Sequence, residues 1–450
     1  MEAGRFSRDV RASVAEGALA TVMGTLLSGA FLTAFALRLG ANEIQIGLLA
    51  ATTSLAHVAQ LAGSWAVERS GRSKPICMIA SWVSRLLWLP ILCVPLVLSG
   101  LSGVEQAWTI IALLTVSSLF ASIGAMAWLA WIKRLIPEEM RLRFLGRRHV
   151  FNTALTFSLT VIGGLFIDAW SRWYPESLGG FIIVFAVAMS CGIIGLLILQ
   201  TISEVPARPP VALPLSRLVN APFADSNFRR LISFYAVWNF ASNLATPFFA
   251  VYMLAVLQLS LASVTLLLTL SSVVGLAATR LWTRCGDRFG TRSMVSIATL
   301  ADVACPLLWL SVTADNLWLL VPIHLLGVFA APIAMGPQVL SLKHSPAENG
   351  SVYLALFHAI TGPLTAAGAV VGGTIAGWNA LDGAPATVAG LKTVFLISAA
   401  GRLLSLLLLR RVREPESVPV GRIVRVLHRA GRRWAVEQRG AASASWRKAA

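Results

Sequence analysis

The chain has 450 residues, of which 56% are hydrophobic and only 13% charged, with a mean hydropathy of +0.74. That is too little charge to cover the surface of a soluble protein this long, so a water-soluble globular fold is excluded. A formal net charge of +17 would suit nucleic acid as a partner, but the placement of the bases along the chain gives them another role.

In chain order, the N-terminus MEAGRFSRDVRASVAEG lacks a signal-peptide cleavage site, so the first apolar stretch is expected to stay as an uncleaved helix. Stretches of about 20 mostly apolar residues, enough to cross the hydrocarbon core, fall near 14–38, 43–66, 76–99, 107–131, 149–169, 180–202, 231–256, 261–283, 294–313, 316–339, 351–376 and 391–410. Backbone groups must be satisfied internally in lipid, which makes each stretch a helix. The expected fold is an all-α integral membrane protein with twelve transmembrane helices. Fifteen Trp, 35 Gly and 20 Pro suit such a bundle. Cys77, Cys93, Cys191, Cys285 and Cys305 form no CxxC pair and read as packing residues. No cofactor or metal is implied.

With the N-terminus inside, all but five of the 37 Lys and Arg fall in inside connections or the C-terminal tail. Arg38, Arg172 and Lys392 lie outside, while Arg85 and Arg402 fall within spans. The basic excess is thus a topology signal, predicting a multi-pass protein of the inner (plasma) membrane with both termini cytoplasmic. Nucleic-acid binding is set aside.

The sequence also repeats. ERSGRSKP at 68–75 lies over DRFGTRSM at 287–294, and further on Pro137 lies over Pro346, His149 over His358, Gly163-Gly164 over Gly372-Gly373 and Glu204 over Glu414. A six-helix unit is therefore duplicated in parallel orientation, predicting two pseudo-symmetric bundles around a central cavity. The expected division is 1–202 for the first bundle, 203–230 for a Pro-rich cytoplasmic linker, 231–410 for the second bundle and 411–450 for a basic tail. Val420, Ile423, Val424, Leu427 and Trp434 share one face of that tail, as in a basic amphipathic helix lying on anionic inner-leaflet lipid.

The duplicated loop resembles the signature of the major facilitator superfamily, G-x-x-x-(D/E)-R-x-G-R-(R/K), found between helices 2 and 3 and again between 8 and 9. Glu68, Arg69, Gly71, Arg72 and Lys74 fit the first copy, and Asp287, Arg288, Gly290 and Arg292 the second. The resemblance implies a secondary transporter working by rocker-switch alternating access, monomeric, with a small organic solute as partner and no enzymatic activity. It further implies that Glu68 meets the start of helix 11 near Gly350, and Asp287 the start of helix 5 near Arg148. Glycine permits the tight turn at each loop, a carboxylate suits a helix N-terminus, and the bases suit carboxylates or lipid phosphates. The two loops are thus expected to form a cytoplasmic latch.

In such a fold the cavity is lined mainly by helices 1, 4, 7 and 10. Asn239, Ser242, Asn243 and Thr246 share one face of helix 7, with Tyr235 and Trp238 nearby, while Thr25 on helix 1 and His324 on helix 10 complete the candidate substrate residues. Such side chains also glue membrane helices together. Ionisable groups within spans need a reason: Asp302 and Glu16 are the proton-coupling candidates, and Arg85 and Arg402 are expected to snorkel toward head groups. Helix 4 has no arginine, helix 5 no Gly-Pro and the chain no PESPR, which weakens proton-driven drug export and sugar porter assignments. The alternatives are a drug or metabolite efflux antiporter, or a non-transporting sensor or scaffold of the same fold. A membrane-embedded transferase lacks support, since there is no DxD, P-loop or HExxH.

Overall fold

The computed structural model describes residues 2–175, 177–204, 223–344, 350–378, 388–414, 417–423 and 425. Among them twelve helices are long and apolar enough to cross a membrane. These are α1 (Arg8–Leu39), α2 (Glu43–Val67), α3 (Ser73–Val97), α4 (Gly103–Leu135), α5 (Arg148–Trp173), α6 (Gly179–Thr201), α7 (Ser226–Val256), α8 (Leu261–Phe289), α9 (Thr291–Leu310), α10 (Ala314–Pro337), α11 (Leu356–Gly377) and α12 (Val388–Leu409). All twelve expected spans are present. Several run past the apolar stretch, because a helix continues into the polar interface with its backbone bonds intact. The expected linker falls largely on 205–222 and most of the tail on 426–450, both outside the described residues.

Local sequence sets the helix ends. Asn42 and Gln45 form a capping box at the start of α2, and Ser102 and Glu105 one at α4. Asp225 caps α7, and Ser260 caps α8. Gly71 and Gly290 both have positive φ, 67° and 88°, which lets the chain reverse between α2 and α3 and between α8 and α9.

The helices pack as two groups of six with matching pairings. In the first, α1 packs on α5 and α6, α2 and α3 pack on α4, and α3 on α6. In the second, α7 packs on α11 and α12, α8 and α9 on α10, and α9 on α12. Each group has an aromatic cluster at corresponding places. Phe35 of α1 and Trp88 of α3 surround Phe185 of α6, with ring centroids 5.2 and 6.2 Å away. Phe249 of α7 and Trp309 of α9 surround Phe395 of α12, at 4.9 and 6.0 Å. Edge and tilted contacts of this kind add to plain apolar burial.

An even number of spans places both termini on one face, here the terminal face, together with the 68–75 and 287–294 loops. Large apolar side chains cover the outside of the bundle, such as Val97, Ile162 and Leu281. Trp108, Trp173, Trp318 and Trp378 stand exposed at helix ends on the opposite face, as an interfacial aromatic belt requires.

The two groups touch through α2 against α11 and α5 against α8. At Gly47, Gly373 and Gly362, a side chain would fall on the backbone oxygens of Ala369, Glu43 and Ser54 of the facing helix. Gly164 likewise sits against Ala262 and Thr265 of α8. Apart from the Gly362–Ser54 contact near mid-helix, these contacts occupy the halves of the helices nearer the opposite face. Toward the terminal face, Gly63 packs on Ile123 and Gly275 on Gly327, each within its own group. Replacing Gly47 by Val is expected to destabilise the fold by about 1–3 kcal/mol through overpacking. The denaturation midpoint in detergent should fall, whereas Gly286→Ala, with open space around it, should leave it unchanged.

Candidate functional site

The duplicated loops on the terminal face act within their own groups. Lys74 at the start of α3 donates to the carbonyls of Gln200 and Ile202 at the end of α6 (2.7 and 2.8 Å), and its ammonium lies over the Trp131 ring. Arg292 at the start of α9 donates to the carbonyls of Leu409 and Arg410 at the end of α12 (3.3 and 3.0 Å). A cation at a helix C-terminus satisfies carbonyls that the helix cannot. The Glu414 carboxylate in turn accepts from the N–H groups of Thr291 and Arg292. Arg69 and Arg288 lie over the neighbouring rings of Trp65 and Phe289, and Arg72 is exposed. The Asp287 carboxylate is exposed and meets no helix 5 partner among the described residues; Arg148 is engaged elsewhere. The Glu68 side chain lies outside the described set. The expected contact of Asp287 with the start of helix 5 is therefore not made in this conformation, because the groups are packed together at the other face.

That other face carries a contact with the chemistry expected of the latch. Asp168, near the end of α5, accepts from the N–H groups of Leu261 (3.0 Å) and Ala262 (2.7 Å) at the start of α8. A carboxylate of one group thus caps a helix N-terminus of the other, with two charge-assisted bonds. It separates two cavities. Toward the opposite face lies a vestibule of about 970 Å³ lined by Arg38, Glu43, Asp168, Arg172 and Ser260 among others. On the inner side lies a cavity of about 310 Å³ between α1, α5 and α8, with Thr25, Thr156 and Thr269 in its wall. From Thr160 in the inner cavity to Asp168 is about 12 Å of helix.

Thr25 is thus where a solute site was expected, bonded to Thr156 at 3.3 Å. On α7, Asn239 and Asn243 share a half-buried face, their amides donating to the carbonyls of Tyr235 and Asn239. Tyr235 is not cavity-lining. It is 1% exposed and packed against Phe234, Trp238 and Phe357, where an aromatic of this size completes the α7–α11 core. His324 is also buried, its Nδ1 within 2.7 Å of the Leu320 carbonyl and its ring against Trp309, because the face of α10 that bears it turns toward α9.

The ionisable residues within spans form buried networks. Arg402 of α12 pairs with Asp302 of α9 at 2.8 Å and also bonds the Asp302 and Ser242 carbonyls and Ser398 Oγ. Trp238 donates its indole N–H to the other Asp302 oxygen at 3.2 Å. Arg85 of α3 donates to the Gly192 carbonyl of α6. Neither arginine snorkels: both are buried and use their donors on protein acceptors. Glu16 is 4% exposed and pairs with Arg148 at 3.0 Å. Arg148 also bonds Ser13 and stacks on Trp128 at 4.3 Å. Glu16 therefore sits inside the bundle, its carboxylate held by Arg148. No cluster of three metal-ligating side chains occurs among the described residues.

Sequence reading missed Asp168 and Thr156. Asp168 presents only an acid at the end of an apolar span, and its partners are backbone N–H groups, which carry no residue signature.

Residues 231–436, the second group of helices, match the sequence model of the Major Facilitator Superfamily. That match covers a little under half of the chain, and the first group repeats the same helix order and pairings. No curated protein matches the chain at a significant level. A mutant of the nucleoside transporter NupG has a similar structure, with TM-score 0.69 and 13% identity over 90% of this chain and 100% of that one. A bacterial homologue of the iron transporter ferroportin, solved in an inward-facing state, gives 0.64 at 15% identity, covering 92% and 99%. The inward-open xylose transporter XylE from E. coli gives 0.59 at 15%, covering 91% and 96%. At these identities the likeness is one of fold.

Breaking the Arg402–Asp302 pair should be costly. Arg402→Ala leaves a carboxylate uncompensated and is expected to destabilise by about 3 kcal/mol, while pairing Arg402→Met with Asp302→Asn should recover much of the loss. Thermal unfolding of the purified variants measures both.

Proposed function

We propose that this transporter carries a small organic solute by alternating access and that the structure is its inward-facing state, the terminal face being cytoplasmic. The observation that carries this reading is the order of features along α5 and α8. On α5, Thr156 and Thr160 line the inner cavity, Gly164 and Asp168 make the inter-group contact, and Arg172 lines the vestibule. On α8 the same order runs from Ser272 and Thr269 through Thr265 and Ala262 to Ser260. A closed gate therefore divides a solute-sized inner space from an outer vestibule. Opening outward would break the Asp168 cap and the glycine seams, and closing the inner face would bring the loops of Glu68 and Asp287 against the opposite group as a latch.

Asp302 is the better placed of the two carboxylates for proton coupling. Its side chain is 24% exposed and bonded to Trp238 of α7, whereas that of Glu16 is 5% exposed and sealed by Arg148. Protonation of Asp302 would loosen Arg402 and so couple a proton to the packing of α9 against α12. The structural neighbours are a nucleoside transporter, a homologue of an iron transporter and a xylose transporter, too wide a range to select a substrate. We place the protein as a monomer in the inner membrane, its Arg-rich tail on anionic lipid.

Proteoliposomes offered sugars, organic acids, amino acids and amphipathic amines, with and without an imposed pH gradient, test the transport reading; no accumulation of any class would reject it. Gate strength is tested separately. Asp168→Asn loses the charge in two hydrogen bonds, each worth about 1.5–3 kcal/mol when charge-assisted. In a cysteine-free background carrying Thr160→Cys, it should raise labelling from the outer face on the order of tenfold or more. Equal labelling would show that the cap does not hold the gate.

A further inference from the structure

The inner cavity behind the Asp168 gate has a chemistry of its own. Its wall is built by the point where α1 breaks and by facing turns of α5 and α8. The first segment of α1 ends at Leu26, Ser28 is extended, and the helix restarts at Gly29, whose φ is +57°. A residue with a Cβ is strained there, so the sequence Ser-Gly is what permits the break. The side chain of Ser28 caps none of the N–H groups of the turn it starts. It donates instead to the Gly24 carbonyl at 2.5 Å.

The hydroxyls around this cavity are sorted by their hydrogen bonds. Ser28, Thr160 and Ser272 each donate to the carbonyl four residues earlier on their own helix. Their hydrogens are used, so what each turns to the cavity is an acceptor lone pair. Thr156 accepts from Thr25, leaving its own hydrogen free of any described partner. The Thr269 hydroxyl oxygen is buried with no partner among the described residues. One turn below Thr156 on the same face of α5, the Asn152 amide oxygen is likewise buried and unsatisfied. Buried polar groups without partners call for an explanation.

Helix-to-helix glue does not supply one. Polar side chains that glue membrane helices bond across to the neighbouring helix, and here only Thr25 to Thr156 does so, with both residues in the same group of six helices. The rest bond within their own helix or not at all. The cavity also has no charged side chain in its lining, and Phe31 and Phe157 give it apolar faces. At about 310 Å³ it lies at the small end of the roughly 300–1,000 Å³ typical of ligand pockets.

We infer that this cavity is the recognition subsite for an uncharged, polyhydroxylated solute, with Thr156 and Thr269 donating to its oxygens and Ser28, Thr160 and Ser272 accepting from its hydroxyls. A hydroxyl both donates and accepts, so a solute bearing several of them matches a ring that presents both. A carboxylate or phosphate would face three acceptors and no cation, and an ammonium would find no counter-charge. Six-membered or five-membered rings carrying hydroxyls on their edges and C–H groups on their faces fit both the hydroxyl ring and the two phenylalanines.

This inference rests on the transporter reading, and the test separates the two. Wild-type protein in proteoliposomes is offered a panel of neutral polyols (pentoses, hexoses, nucleosides and alditols) beside carboxylates and amines. At least one neutral polyol is expected to accumulate. For that solute, Thr156→Val and Thr269→Val, which keep shape and remove the hydroxyl, should each weaken binding about tenfold. Deoxy analogues lacking the contacted hydroxyl should bind wild type and one of these variants alike. Ser272→Val serves where either threonine variant fails to fold. Accumulation of charged solutes alone, or polyol binding indifferent to all three substitutions, would overturn the inference while leaving the transporter reading intact. Failure to accumulate any solute would defeat both.

Discussion

The close approach of backbones between α2 and α11 and between α5 and α8 governs the rest of this structure. Within a bilayer, helices gain little from hiding apolar surface from one another, since lipid is as apolar as they are. The two six-helix groups are instead held by contact area, and glycine supplies it: Gly47 and Gly373 let α2 and α11 meet backbone to backbone, and Gly164 does so for α5 and α8. Such seams are strong when closed and have no partly open optimum, because dispersion contacts vanish over a small gap. To this the Asp168 cap adds direction. Its two bonds join α5 to the start of α8 at the end of the seam.

Each group is also tied together internally by several interactions. The aromatic clusters around Phe185 and Phe395 tie the first, third and sixth helices of each group near the opposite face. At the terminal face, Lys74 and Arg292 tie the start of the third helix to the end of the sixth. The charged loop that is doubled in the sequence is thus a brace inside each group before it is anything between them. In each copy a base two or three places after the glycine, Arg292 or Lys74, lies at the start of the next helix and reaches a neighbouring helix end in the same group.

Much of this was legible in the sequence because it depends on composition and period. Hydropathy located all twelve spans, and the match of 68–75 with 287–294 announced the duplication, since both follow from strings of residue types. The site was less legible. Thr25 could be placed on a cleft-facing helix by its fold position, but Tyr235 and His324 were expected in the cavity and lie in cores. In an apolar span a polar aromatic or imidazole reads the same whether it faces a cleft or a neighbouring helix. Glu16 and Arg148 are more than a hundred residues apart, and nothing local in either stretch marks the pair. Asp168 escaped for a different reason: a carboxylate that binds backbone N–H groups leaves no complementary side chain to find.

The buried arginines show how duplication has been edited. In the repeat, α3 corresponds to α9 and α6 to α12, and an arginine bridges that pair in both groups. Yet Arg85 reaches from the third helix to the sixth, onto the Gly192 carbonyl, while Arg402 reaches from the twelfth to the ninth, onto Asp302. The packing problem is shared, namely a seam between two helices that a long charged side chain can span, but each half solves it from a different side. The two solutions differ in what they can do. A carbonyl cannot change its charge, so the Arg85 bridge is fixed, and Glu16, the nearby acid, is already taken by Arg148. The Arg402 bridge ends instead on a partly exposed carboxylate that is also bonded to Trp238. Trp238, on the same helix as Asn239 and Asn243, ties the second bridge to α7 as well.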